Sequence, residues 1–394
     1  MTYVIQAVLS DPRRPACGQC TIPFPIPDDA YDDMIEMLGG IGIGDAVAKD
    51  CRIDAVDSFY GVLGSLTGTM VNVDELDYLA KRLDSFCDNE AEQFQAMAHK
   101  LELKDIKDFI NLTFCCQRAT VISDFSKLEQ VGKAHRMNLN DGTISTEEWE
   151  TMDGRKEALQ LIQTGAGTVT PYGVVYDNGM KLEQLYDGRH FPSYLYDVPM
   201  LVLTVSAERE PSPEYLYLPS PDARLKRTIQ RVGHDGDLRF AVEWNELPER
   251  VSAAFHPENE DLEDLNALCR VITGLDTVER AKLEAAVLLA EPECAYEIRQ
   301  LAENLDQFGF VPGVQTPEEY GRYMIQKSGR FVYDENLEEF YNFERYGLQR
   351  VEHEDGQFTP CGYIAYTGRL SLEELMQPDP AEQTQQGPQM GGLS

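Results

Sequence analysis

Basic residues are scarce in this 394-residue chain: 34 Lys and Arg stand against 68 Asp and Glu, a formal net charge of −34. That shortage excludes binding of nucleic acid through a broad basic surface, because affinity for phosphate comes from clustered Lys and Arg. It also disfavours an anionic membrane. No uninterrupted apolar run approaches transmembrane length. The opening Met1-Thr2-Tyr3-Val4-Ile5-Gln6 has no charged leader before an apolar stretch, so no signal peptide is expected. The nine Cys are an odd number scattered through a large chain, which fits reduced thiols in a cytoplasm better than a disulfide framework.

Chemical motifs are equally thin. Cys17-Gly18-Gln19-Cys20 has the spacing of half a zinc site, but a structural zinc needs four ligands and no second Cys-x-x-Cys exists. The six His (99, 135, 190, 234, 256 and 353) form no pair at metal-ligand spacing. The run Gly39-Gly40-Ile41-Gly42-Ile43-Gly44 follows a helix and lacks the Lys-Ser/Thr of a phosphate loop, so it reads as a flexible turn. Asn138 to Glu148 resembles the later part of a calcium loop. With Gly142 in the sixth position, however, the first and third positions are Met137 and Leu139, which offer no oxygen ligand; a tight turn before a capped helix is the preferred reading. No Gly-x-Ser-x-Gly elbow occurs, and nothing assembles a nucleophile, a base and an oxyanion donor. The sequence therefore predicts no enzyme, no catalytic residue, no cofactor and no metal.

The chain does hold material for folded cores. It is 42% hydrophobic, with 19 Tyr and 16 Phe, unlike a natively disordered acidic chain. A folded domain normally balances its charges, since like charges repel in the compact state. About half the acids here have no basic counterpart, and the natural partner is a basic surface.

The sequence also repeats. Thr170-Pro171-Tyr172-Gly173-Val174-Val175-Tyr176 matches Thr359-Pro360-Cys361-Gly362-Tyr363-Ile364-Ala365-Tyr366 at an offset of 189. Asp74-Glu75-Leu76-Asp77-Tyr78-Leu79 matches Glu263-Asp264-Leu265-Asn266-Ala267-Leu268 at the same offset. Pro27-Asp28 and Leu38-Gly39 match Pro221-Asp222 and Val232-Gly233 at 194, and Leu182-Glu183-Gln184-Leu185 matches Leu372-Glu373-Glu374-Leu375 at 190. Colinear matches of this length indicate a duplicated domain set rather than a solenoid. The expected division is a first copy over 1–185, a connector over 186–199, a second copy over 200–375 and a Gln-, Gly- and Pro-rich disordered tail over 376–394.

Each copy reads as an α+β chain: a small α/β module, a helical module and a second small α/β module, together an elongated multi-domain protein. Strands are expected over Tyr3 to Leu9, Cys20 to Phe24 and Ala46 to Ile53, and over Met200 to Val205, Tyr215 to Leu218 and Leu238 to Trp244. Asp28 and Asp222 are expected N-caps, with Gly39 and Gly233 in the stop position of the same helices. In the middle of each copy, Leu76, Leu79 and Leu83, and likewise Leu265, Leu268 and Ile272, share one helical face.

The strand end Glu243-Trp244-Asn245-Glu246-Leu247-Pro248 with Asp264-Leu265-Asn266-Ala267-Leu268, and the later Tyr320-Gly321-Arg322-Tyr323-Met324-Ile325 through Phe340-Tyr341-Asn342-Phe343-Glu344-Arg345-Tyr346-Gly347, resemble the ArdA family of antirestriction proteins. The resemblance covers about 200–366 well and 3–176 more weakly, mainly through the repeat. Lys49-Asp50-Cys51-Arg52-Ile53-Asp54 stands where the Glu-Leu-Pro pattern is expected in the first copy.

The resemblance implies a stoichiometric mimic of bent B-DNA that fills the DNA groove of Type I restriction-modification methyltransferase/specificity complexes. It implies that such a protein binds neither nucleic acid nor membrane. Its carboxylate surface would include Asp28, Asp29, Asp32, Asp33, Glu36, Asp74, Glu75 and Asp77 in the first copy. In the second it would include Glu243, Glu246, Glu258, Glu260, Asp261, Glu263, Asp264, Glu318, Glu319, Asp334, Glu335, Glu338, Glu339 and Glu344. A mimic of roughly 20 base pairs replaces about 40 phosphates at one charge per 1.7 Å, the order of the net charge here. A typical family member is a single copy that dimerises, so two copies in one chain imply a monomeric pseudo-dimer or a homodimer. The reading from a different class is an acidic adaptor for a basic host protein, held by a few apolar anchors.

Overall fold

Ile5, Ala7 and Leu9 stand at every second position, and in the structure they are fully buried on one face of a strand, as the period of two dictates. The computed structural model describes residues 3–140, 142–207, 210–233 and 238–377; the expected tail therefore lies almost wholly outside the described residues. The chain is α+β. It divides into two units. Unit 1 comprises 1–198, 205–215 and 221–238; unit 2 comprises 199–204, 216–220 and 239–394.

The first half runs β1 (Ile5–Ser10), β2 (Gln19–Phe24), α1 (Asp28–Gly40), β3 (Cys51–Ser58), β4 (Met70–Val71), α2 (Val73–Asp84), α3 (Asp88–Lys100) and α4 (Ile106–Leu112). It continues through β5 (Thr120–Ile122), α5 (Leu128–Leu139), α6 (Thr146–Thr151), α7 (Gly154–Thr164), β6 (Thr168–Thr170) and β7 (Gly173–Tyr176). The second half runs β8 (Leu201–Ala207), β9 (Glu210–Leu218), α8 (Asp222–Val232), β10 (Leu238–Asn245), α9 (Glu249–Ala254), α10 (Leu262–Gly274), α11 (Thr277–Ala290) and α12 (Ala295–Glu303). It ends with β11 (Phe308–Pro312), α13 (Pro317–Gln326), α14 (Phe343–Glu354), β12 (Gln357–Thr359), β13 (Gly362–Tyr366) and α15 (Leu372–Met376). No helix among the described residues is long and apolar enough to cross a membrane.

The repeat has a structural counterpart. The first sheet of each half has its opening strand in the middle, β2-β1-β3-β4 and β10-β8-β9; the last sheets are ordered β5-β7-β6 and β11-β13-β12. The sequence offset of 189 recurs in detail: Thr170 Oγ1 donates to Gly173 O and Thr359 Oγ1 to Gly362 O, each at 2.8 Å. Both glycines have positive φ, +124° and +147°, a region that side chains avoid.

A second recurrence is a helix crossing built on paired glycines. A Cβ on Gly132 would lie 1.7 Å from Gly154 O, and one on Gly321 would lie 1.9 Å from Phe343 O. The backbones of α5 and α7, and of α13 and α14, therefore approach with no room for a methyl group. Gly321→Ala is expected to cost about 1–3 kcal/mol or more through overpacking, read as a lower urea midpoint; an unchanged midpoint would contradict the close crossing.

Several expected boundaries shift for local reasons. Asp28 and Asp222 are the first helical residues, and Pro27 and Pro221 take the N-cap positions. Helix α1 runs through Gly39 to Gly40, and the positive φ falls on Gly42; Gly233 does end α8 at φ +100°. Strand β3 begins at Cys51 rather than near Ala46, because Asp45 Oδ1 accepts from Val47 N and Ala48 N while Asp50 Oδ2 accepts from Gly44 N and Asp45 N. Those side-chain bonds tie 44–50 into a turn. Ser145 caps α6 by accepting from Glu148 N, giving the turn and capped helix read from the sequence; Asp141 of that segment is outside the described residues. The connector is not a bare linker: Tyr186 is buried in the core of unit 1, exchanges hydrogen bonds with Asn111, and stacks on Phe191 at 4.8 Å.

Candidate functional site: the acidic surface and a buried arginine lock

The acids sort into three physical states. Asp74, Glu75 and Asp77, expected on a partner-facing surface, are instead buried in unit 1. Their burial follows from α2 and α8 together. Asn72 caps α2: its side chain accepts from Asp74 N at 2.9 Å, and Glu75 reaches back to Asn72 N at 2.9 Å. This capping box fixes both carboxylates in the first turn, where the helix dipole favours negative charge. Helix α8 then covers Asp74 and Asp77 with arginines at 224, 227 and 231, a spacing that puts three guanidiniums along one stripe.

Arg227 is nearly spent as a donor. Its Nε lies 3.0 Å from both oxygens of Asp74, Nη1 donates to Gly44 O at 2.8 Å, and Nη2 donates to Asp45 O at 3.0 Å and Asn72 Oδ1 at 3.3 Å. The glycine-rich turn thus presents carbonyls to a cation rather than amides to a phosphate. Arg231 donates to Asp74 Oδ2 at 2.6 Å and to the buried Glu214 at 3.2 Å. Arg224 donates to Asp28 Oδ1 at 2.5 Å, sits 3.7 Å from Asp77 Oδ2 and stacks over the Tyr31 ring at 4.1 Å. Tyr31 donates to Asp74 Oδ1 at 2.9 Å, and Tyr186 donates to Glu75 at 3.2 Å. Asp77 also accepts from Ile26 N at 2.7 Å and pairs with Lys81 at 3.0 Å. Asp32 accepts from Asp222 N and Ala223 N at the start of α8.

Helices α1 and α8 occupy matching places in the repeat yet carry opposite charge. Helix α1 holds Asp28, Asp29, Asp32, Asp33 and Glu36; α8 holds Arg224, Lys226, Arg227 and Arg231 against Asp222. They pack against one another within unit 1. Composition hid this pairing. The signal that could have found it is the i, i+3, i+7 arginine spacing on a helix with few apolar residues.

The buried acids titrate in opposite senses. Burial pushes the Asp74 carboxyl up, but the Arg227 and Arg231 guanidiniums outweigh it and hold it below the usual value. Glu214 and Glu75 are raised by burial, against partial opposition from Arg231 and from the Asn72 N–H and Lys49 respectively. Asp74 therefore contributes stability that is full above its unfolded value, about 3.9, and is lost as pH falls through its lower folded value. For Glu214 the contribution is present below about 4.3 and is lost as pH rises through its higher folded value. A Glu214→Gln variant is expected to show a flatter decline of unfolding free energy above about pH 4.3, measured by urea titration at successive pH values; an unaltered slope would contradict the assignment.

A second group of acids is exposed but used locally. Asp261 caps α10 by accepting from Glu263 N and Asp264 N, and Glu319 closes the capping box of α13 with Thr316. Asp334 accepts from Asn336 N at the start of a 3-10 turn over Glu335–Phe340. The half-buried Glu260 accepts from Ala295 N at 2.8 Å, and the half-buried Asp264 lies 3.5 Å from Arg299. Glu318 and Glu338 share Arg322, and Glu258 lies 3.9 Å from His256.

The third group is exposed with no hydrogen-bonding or ion-pair partner for the side chain among the described residues: Asp29, Asp33, Glu36, Glu243, Glu246, Glu263, Glu335, Glu339 and Glu344. Asp29, Asp33 and Glu36 fall at i, i+4 and i+7, one stripe of α1. Tyr31 and Leu38 hold the opposite side in the core, and Asp28 and Asp32 face α8. At 1.5 Å rise per residue the stripe spaces charges roughly 4.5–6 Å along the axis.

Cys17 is exposed and Cys20 half-buried on β2, and no group of three His, Cys, Asp or Glu side chains among the described residues is placed to hold a metal. Comparison of the chain with protein-family models and with curated proteins gave no match.

Proposed function

We propose that this protein is an anti-defence protein of the ArdA antirestriction type, which imitates bent B-DNA with surface carboxylates and occupies the DNA groove of a Type I restriction-modification methyltransferase/specificity complex. The observation that carries the reading is the stripe of unneutralised acids Asp29, Asp33 and Glu36, held rigidly by a helix whose other two faces are fixed. Such a surface attracts a basic cleft at long range. In this reading the protein works in the cytoplasm, as a stoichiometric inhibitor without a cofactor, and the two copies in one chain take the place of two subunits. Light scattering on the gel-filtration peak should then give the mass of one chain, and an obligate dimer would count against that part.

The mimic distributes its contacts, so neutralisation should act by degrees. Asp29→Asn, then Asp33→Asn and Glu36→Gln added in turn, are expected to weaken inhibition of a purified Type I enzyme a few-fold at each step, since exposed charge pairs are worth about 0.2–1 kcal/mol. An adaptor would respond little to all three and sharply to loss of one apolar anchor. Asp77→Asn should instead change stability, because Asp77 faces Arg224 and Lys81.

A further inference from the structure

The segment joining α13 to α14 in unit 2 exposes large apolar side chains among acids. Phe331 is 51% exposed, Val332 98%, Leu337 47% and Phe340 76%. Interleaved with them are Asp334, Glu335, Glu338 and Glu339, all exposed. Soluble monomers seldom expose apolar residues in such density without using them. The segment is well anchored: Phe331 meets the Tyr346 ring edge-on at 5.8 Å, Tyr333 lies 5.6 Å from Tyr341, and Arg322 ties Glu338 to α13. Both flanking helices are locked by the Gly321–Gly347 crossing. Among its described residues, the corresponding segment of the first half holds one comparable side chain, Trp149, and Lys133 lies over its ring at 5.2 Å.

We infer that residues 331–340 form a docking element for a basic, amphipathic segment of a protein partner. The apolar side chains enter the partner's apolar face, and the acids around them meet its Lys and Arg. Charge complementarity selects this occupant. A second copy would bring the same acids against themselves under a net charge of −34, and an anionic membrane is repelled for the same reason. The element adds an anchor that charge imitation alone does not need: exposed ion pairs weaken with salt, whereas burial of Val and Phe side chains does not.

Two helical peptides of equal length and charge provide the probe, one of Lys and Leu in amphipathic pattern, the other of Lys and Ala. The full chain at high salt is expected to bind the Lys/Leu peptide at least about 10-fold more tightly, as loss of about 1.4 kcal/mol is tenfold. Val332→Ser with Phe340→Ala should remove that preference and leave the Lys/Ala peptide unaffected, with an unchanged far-UV spectrum. Glu335→Gln with Glu339→Gln should weaken both peptides alike at low salt. Equal preference in wild type and the Val332/Phe340 variant would overturn the proposal. So would a dimer in sedimentation equilibrium that the same variant dissolves, since the occupant would then be a second copy. No restriction enzyme enters the assay, so its outcome is independent of the DNA-mimic reading.

Discussion

Replacing Arg227 by methionine is expected to lower the unfolding free energy by about 3–5 kcal/mol, the usual cost of breaking a buried charge pair from one side. Methionine keeps most of the stem, so the loss reports on the guanidinium. That group serves Asp74, two carbonyls of the 44–45 turn and the Asn72 cap at once. Its removal leaves the buried Asp74 carboxylate to Arg231 and Tyr31 alone and takes a donor from the part-buried Gly44 and Asp45 carbonyls, which costs more than the net worth of the bonds. A double-mutant cycle with Asp74→Leu should return a coupling energy of about 0.5–3 kcal/mol, as expected for residues in one network. A loss below about 1 kcal/mol for Arg227→Met would mean that the pair behaves like a surface ion pair, contradicting the lock.

The parts of this fold that follow local rules could be read from the sequence. Alternation in Ile5–Ser10, the leucine stripe of α2 and the Gly-anchored Thr170 and Thr359 turns are set by residues within a few positions of one another. The repeat also carried over to the geometry, because strand order and glycine crossings depend on the same residues in both halves. What stayed hidden depends on contacts across long separations. Asp74 and Asp77 look like solvated acids of a helix start until Arg224, Arg227 and Arg231, some 150 residues later, cover them. Pairing in three dimensions takes those acids and their arginines off the surface together, and leaves the excess charge on the remaining acids. Tyr186 behaves likewise: a connector rich in Tyr and Pro reads as a linker, but its first ring is a core residue. The candidate surface therefore holds fewer of the acids assigned to it from the sequence, and its best-defined part is the outer stripe of α1.

Inhibition is expected to collapse with salt. A DNA-binding protein with six to ten phosphate contacts loses about 10³–10⁵ in affinity between 50 and 200 mM salt, and a mimic that engages the same cationic cleft should lose on the order of 10³. The unneutralised acids Asp29, Asp33, Glu36, Glu243, Glu246, Glu263, Glu335, Glu339 and Glu344 are all solvent-exposed, where screening acts fully. The buried pairs of α8 are shielded, so the fold itself should survive the same salt range. Binding measured by titration alongside the unfolding midpoint separates the two effects. Affinity that changes less than about tenfold would place the binding energy in apolar anchors rather than in imitation of phosphate.

Competition with DNA tests the mimicry most directly. A purified Type I restriction-modification complex is inhibited by a fixed amount of this protein, and unmodified duplex DNA carrying the enzyme's recognition site is added in increasing excess. If the protein imitates DNA, inhibition is relieved in proportion to the DNA, with the protein displaced from the complex. Inhibition that persists at saturating DNA, with protein and DNA bound to the enzyme together, would contradict it.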